Sequence, residues 1–569
     1  MKKRLALLFA VMMLVGVLLV GCASNPAAST APAESAAAET SAAAETASAE
    51  PTAATSDAIL RFGTSSLNGL FNPILYKDVY DGYVADMMFD GLLLGNPDGS
   101  LNTDGIAESY TVSDDKLTYT FKLRPTAKFT NGDAVTADDV KYTYEMIASK
   151  DYDGTRAGVL ANIVGAKEMQ EGTATEISGI KVVDASTVAI TTIEPLATQL
   201  YDFTIGILSK KYYTSATFDE FKAKNAAPMG CGRFMFKAYT AGQSCELVTN
   251  PDYYGKKAQI AGVTVLIIPD ETQVSALQSG QVDLVNPAAG KDNYEGMNNA
   301  GTSYVKQFAS NGYNMIGLNI QDPVLSDVKV RQALAYGLDI KTFVQTEWEG
   351  FASKCLVPIA TVSWAYPDVA DINPYDFDPE KAKALLDEAG WKDTDGDGIR
   401  EKDGTKLSFT WIAYNDTAWP QHLVALATEQ WKAIGVELKS ELVDFNTMID
   451  KVFTQQKFQA FNVGWSMSVD PDPTGGTYDP AQSTEGGNNP VHYSNEEANK
   501  LMAEGRKEFD QAKRAEIYKQ WGKIVMDDLA YIPVASRDEI WGISEKFTGF
   551  DNLGSFYTWI NCLGDVQAK

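Results

Sequence analysis

The chain has 569 residues, 45% of them hydrophobic and 11% aromatic, which is ample for large cores and too much for a single one. A formal net charge of −27 argues against nucleic acid and anionic lipid surfaces as partners. The five cysteines contain no CxxC pair, which excludes a dense disulfide framework.

Lys2, Lys3 and Arg4 precede an almost uncharged apolar stretch, Leu5 to Val20, that is shorter than the roughly 20 residues a spanning helix needs. It ends in Leu19-Val20-Gly21-Cys22, which resembles the bacterial lipobox. Residues 1–21 are therefore expected to be a cleaved signal peptide, and Cys22 the lipidated residue that ties the chain to a bilayer. Residues 22–57 are nearly all Ala, Ser, Thr, Glu and Pro, with nothing to bury, and are predicted to form a disordered linker. Such a tether spans roughly 30 Å as a coil and about 100 Å when pulled straight.

The body opens on a predicted strand, Ala58 to Phe62, followed by loops at Asn68-Gly69 and Asn72-Pro73. Apolar spacing predicts a helix from Val79 to Leu94, and alternation predicts a strand from Leu117 to Leu123. Thr136 with Asp139 reads as a helix start. Strands are then expected at Ile180 to Val183, Thr187 to Thr191 and Val263 to Ile268, with a hairpin from Arg233 to Val248. Cys231 and Cys245 would not face each other on that hairpin, so the cysteines of the body read as reduced, mostly buried thiols. Helices are expected at Val328 to Ile340, Pro379 to Ala389, Trp419 to Ile434 and Glu496 to Asp528. Strands and helices alternate without a fixed period, which indicates an α/β body of several lobes.

Four long blocks carry a resemblance. They are IAESYTVSDDKLTYTFKLRPTAKFTNGDAVTADDVKYTYEMI from Ile106 to Ile147, and PMGCGRFMFKAYTAGQSCELVTNPDYYGKK from Pro228 to Lys257 with LQSGQVDLV after it. DVKVRQALAYGLDIKTFV from Asp327 to Val344 and HYSNEEANKLM from His492 to Met502 complete the set. In order and spacing they resemble the family 5 solute-binding proteins of bacterial ABC importers, which take dipeptides, oligopeptides or nickel. That resemblance implies a two-lobe, periplasmic-binding-protein-like fold of class II topology with an extra subdomain in the first lobe. Lobe I would hold residues 58–310 and 530–569, with the subdomain at about 86–226, and lobe II residues 311–529. The chain would cross between lobes near Ser310 to Gly317 and near Asp528 to Val534, and the lobes would close on ligand.

The resemblance also implies site residues. In peptide-binding relatives the loop after a Gly-Trp pair supplies backbone partners and an aspartate for the peptide's ammonium. Here that loop is Gly464, Trp465, Ser466, Met467 and Ser468, with Asp470 brought into register by a short insertion. Asn68, Asn72 and Tyr76 fall in a loop that faces the cleft in relatives, and Tyr478 and Tyr493 flank the second-lobe loop.

From the residues themselves, Asp393, Asp395 and Asp397 match the first half of a calcium loop, although position twelve falls on Gly404. His422 and His492 are the only histidines, and no zinc, phosphate-loop or serine-nucleophile motif is present, so neither a cofactor nor catalysis is expected. The sequence thus points to a monomeric lipoprotein on the outer face of the cytoplasmic membrane, capturing peptides for an ABC permease and its ATPase. A receptor for a glycan or a nickel or other metal complex is the alternative, and an extracellular hydrolase a more distant one.

Overall fold

The computed structural model describes residues 56–368, 370 and 372–569. The lipidated cysteine expected at Cys22, the signal peptide and all but the end of the expected linker lie outside the described residues. The first strand already starts at Ser56, inside the segment expected to be tether.

The protein is a mixed α/β molecule whose main sheet has two halves. In one, strand Ser56–Thr64 lies parallel to Ile260–Ile267 and to Leu284–Val285, and the hairpin Phe234–Thr240 with Ser244–Thr249 extends the edge. In the other, Ser408–Tyr414 lies parallel to Glu437–Val443, and Ala460–Ser466 pairs antiparallel with Gly312–Leu318. Each half buries its own core. Leu60, Phe62, Val263, Trp541 and Trp559 belong to the first, and Ile316, Trp411, Trp431, Trp521 and Tyr531 to the second. This is the two-lobe fold. A separate four-stranded sheet, Ala107–Val112, Thr118–Leu123, Thr187–Thr191 and Ile180–Asp184, is flanked by helix Ala137–Ile147 and forms the extra subdomain.

One strand belongs to both halves. Tyr531–Ser544 pairs through residues 531–535 with Gly312–Leu318 and through residues 538–544 with Ser303–Ala309. The two crossings between lobes are therefore Ser310–Asn311 and Ser536–Arg537, and the amide of Ser310 donates to the Arg537 carbonyl at 2.8 Å, tying them together. The second crossing lies later than the expected 528–534, because the strand's first half still serves the lobe II sheet.

Several predicted helices are shorter in the fold. Helix Val79–Met88, capped by Asp78, stops before the apolar Leu92 to Leu94 run. There the chain is clasped by neighbours: the Met88 carbonyl accepts from Gly232 at 2.8 Å, and a Cβ on Gly91 would stand 2.4 Å from the Thr204 backbone. The long helix expected from Glu496 to Asp528 is two, Glu496–Gly505 and Gln511–Asp528, the second capped by Asp510 on the amide of Lys513. Likewise Asp339 starts a new helix, Ile340–Trp348, after Val328–Tyr336 ends. Among the described residues no helix is long and apolar enough to cross a membrane.

Candidate functional site

Among the contacts between the lobes outside the crossings, two flank the cleft side of the molecule. The amide of Ala197 in the subdomain donates to the Arg506 carbonyl of lobe II at 2.9 Å, and Lys507 pairs with Glu194 at 3.2 Å. In the same seam the Lys116 ammonium lies 5.9 Å from the centre of the Phe509 ring. At the second place Val469 of lobe II sits against Gly99 and Phe556 of lobe I; a Cβ on Gly99 would meet the Val469 side chain at 2.9 Å.

The loop carrying Val469 continues an extended strand. Residues 464–466 pair with Gly312, Tyr313 and Asn314, and the Asn311 side chain fastens the next two residues by donating to the carbonyls of Met467 and Ser468 at 2.9 and 3.0 Å. On the opposite edge, strand Ser408–Tyr414 reaches only Ala460 and Phe461. From Asn462 to Ser466 that second edge is paired with no strand among the described residues. Gly464, Ser466 and Ser468 are exposed, and Trp465 and Met467 half-buried. A pocket of about 160 Å³ beside the segment is closed by Tyr313, Trp521 and the 472–478 turn.

Below Val469 opens a larger cavity of about 590 Å³, walled by the end of helix Val79–Met88, by Tyr201 and Arg233, and by the 556–565 segment. It receives side chains from both lobes. At the crossings a smaller pocket of about 270 Å³ contains Arg537, whose guanidinium lies 6.0 Å from the Trp348 ring and whose buried Nε has no partner.

A model of the bacterial extracellular solute-binding proteins, family 5 (middle), matches residues 103–489. This chain belongs to that family. Oligopeptide-binding protein AppA of Bacillus subtilis (strain 168) is 31% identical to it over 490 residues, 84% of this chain and 86% of the relative. Heme-binding protein A of Haemophilus influenzae is 28% identical over 474 residues, 78% of this chain and 81% of that one. Among solved structures, AppA from Bacillus subtilis in complex with a nonapeptide superposes with a TM-score of 0.69 at 26% identity, covering 90% of this chain and 99% of the other.

Within this family 5 fold, the residues singled out from the sequence separate sharply. Asp470 is only 6% exposed, and its two oxygens accept from both Nη atoms of Arg514 at 2.6 and 2.7 Å. Arg514 is itself held by the Gly505 carbonyl and lies about 5.5 Å from the ring centres of Trp364 and Tyr518. The carboxylate expected to meet a ligand amine is thus committed to an internal cation, fastening the loop to helix Gln511–Asp528. Tyr493 is corrected in the same sense, whereas Tyr478, equally buried, lines the pocket of about 160 Å³. Both are 2% exposed in an aromatic cluster with Trp521 and Tyr531, and Tyr493 donates to Asp528. Asn72 is fully buried, its Oδ1 accepting from the amide of Ile74 in a turn. Asn68 is exposed and donates to Asp78, and Tyr76 lies under the Arg156 guanidinium at 4.2 Å.

The calcium-like loop closes on itself. Asp393 accepts from the amides of Gly396 and Gly398, and Asp397 pairs with Lys406, which also approaches Asp395 at 3.6 Å. The carboxylate that joins Asp393 and Asp395, with oxygens within 4.8 Å of one another, is Glu401 rather than Asp397. Glu401 stands at position nine of the pattern, where a sequence search fixed on position twelve passes over it. His422 is held by Glu347 at 2.8 Å, and His492 occupies a left-handed turn. The four cysteines of the body are separate buried thiols.

Proposed function

We propose that this chain is the lipid-anchored receptor of an ABC importer, and that its solute is a peptide held extended between the lobes. One observation carries the reading: the edge of residues 462–466 is free and lies next to the seam where lobe II meets lobe I. An added strand would satisfy that edge with main-chain hydrogen bonds, which are blind to side-chain identity, while the flanking cavities accommodate the side chains. AppA, named as an oligopeptide-binding protein, is consistent with this mode, and the heme-binding relative marks the breadth of the family.

The mechanism is closure. Ligand touching both lobes stabilises the closed arrangement by the contacts that the open one lacks, and a permease that recognises only the closed form then reads occupancy. The chain acts as a monomer and returns its ligand uncleaved. Lipid on Cys22 and the linker after it keep the receptor within reach of its transporter on the outer face of the membrane.

Mass spectrometry of the protein purified from its source tests the ligand. A mixture of intact peptides is expected, and a single carbohydrate, heme or metal complex overturns the reading. Backbone N-methylation of a bound peptide should weaken it roughly two- to tenfold for each amide that pairs with the strand edge. Cys22→Ser should release an intact binder into the medium; a variant that stays on the membrane removes the anchor from the account.

A further inference from the structure

The large cavity below Val469 holds seven charged side chains, and their partners differ. Arg124 donates to the carbonyls of Gly105 and Thr103, Arg233 to those of Lys256 and Ile560, and Lys256 pairs with Asp565. Asp90 is buried and accepts from the Tyr253 and Tyr254 hydroxyls at 2.8 and 2.6 Å. Asp104 sits at the solvent edge.

Asp86 remains. It projects from the last turn of helix Val79–Met88, lines the cavity, and makes neither a hydrogen bond nor an ion pair among the described residues. Its side chain is exposed and opens into the cavity rather than packing against neighbours. Two tyrosines stand close enough for their hydroxyls to feel its charge, Tyr76 and Tyr83. The nearest cation, Arg156, is stacked on Tyr76 and acts on Asp86 only through space.

A carboxylate with no ion-pair partner is free to take a cation, and their attraction grows once the pair is closed off from water. Because Val469 of lobe II lines the same cavity, closure would desolvate the pair further and strengthen it.

We propose that Asp86 is the specificity residue of the cleft, anchoring a basic side chain of the bound peptide, a lysine ammonium or an arginine guanidinium, and so favouring cationic over neutral ligands. The assignment rests on the peptide reading above. It also makes binding pH-dependent. Loss of hydration, and to a lesser degree Asp90, push the empty carboxyl up to about 7 against the opposing pull of Arg156. A bound cation lowers it again, so a cationic peptide should release a proton on binding at pH values just below 7. Its affinity should fall by at most about tenfold per pH unit as pH drops further.

The test is calorimetry with paired N-acetylated peptides identical except for lysine or norleucine at one position, on the wild type and Asp86→Asn. Acetylation removes the terminal amine, so any charge preference comes from the side chain. The wild type should favour the lysine peptide by at least tenfold with proton release, and Asp86→Asn should lose both the preference and the proton while keeping its affinity for norleucine. Equal affinity of the wild type for the two peptides, or an undiminished preference in Asp86→Asn, overturns the Asp86 assignment alone. Failure of every peptide to bind overturns the peptide reading and this one with it. Removing an unpaired carboxylate leaves nothing stranded, so Asp86→Asn should melt no lower than the wild type, and a lower melting temperature would mean that Asp86 has a structural partner.

Discussion

Two aspartates lie on opposite sides of the seam, and they have exchanged the roles that their surroundings in sequence suggest. Asp470 in lobe II follows a glycine-tryptophan loop and would be taken for a ligand anchor, yet it is sealed against Arg514. Asp86 in lobe I sits in an unremarked helix turn and lines a cavity, with no hydrogen-bond or ion-pair partner among the described residues. The contrast teaches that a carboxylate's availability is decided by what the fold brings to it. Arg514 is 44 residues beyond Asp470 and reaches it only because the last two helices of lobe II fold back on each other.

The largest effect should come from breaking the sealed pair. Asp470→Ala strands a buried guanidinium and should cost about 3–5 kcal/mol in urea or thermal unfolding. Replacing both partners by apolar residues of similar volume should recover most of that, because no charge is then left uncompensated. If Asp470→Ala instead unfolds like the wild type and only weakens ligand binding, the two aspartates share one role and the contrast collapses.

A smaller effect is expected from pH. Loss of hydration pushes Asp202, like Asp86, up to about 7 from an ordinary value of 3.8. A carboxyl raised in the folded state holds its proton more tightly folded than unfolded, so its contribution to stability is present at low pH and lost as pH rises from about 4 to about 7. The melting temperature of Asp86→Asn and of Asp202→Asn should therefore vary less with pH over that window than that of the wild type. An unchanged slope would mean that neither group is raised.

The smallest effect belongs to the seam. Glu194→Lys opposes Lys507 across the lobes, but the pair is about half exposed, so the change should cost less than about 1 kcal/mol. It should act on the open–closed balance, weakening ligand binding by no more than about fivefold and enlarging the radius of gyration of the unliganded protein in small-angle scattering.

Much of the fold is legible in the sequence because it is written locally. Alternation marks Thr118–Leu123, and Thr136 with Asp139 marks a helix start in which the Asp139 carboxylate accepts from both the amide and the hydroxyl of Thr136. What is not legible depends on residues distant in the chain. Apolar spacing carries a helix through Leu94, but close approach by Thr204 and by the glycines at 230 and 232 ends it at Met88. The exposed backbone at Gly464 to Ser468 could be anticipated from its resemblance to relatives. The burial of Asn72, Tyr478 and Tyr493 could not, since asparagines and tyrosines suit loops and cores alike. Asp86 was hidden for the converse reason: its significance is the absence of a neighbour, and absences leave no pattern.

The strand Tyr531–Ser544 has a consequence for how the molecule is made. Both halves of the main sheet need it, and its partners in residues 303–318 lie far earlier in the chain. Neither lobe can finish its sheet before this segment has paired, so completion of the two is synchronised by one strand.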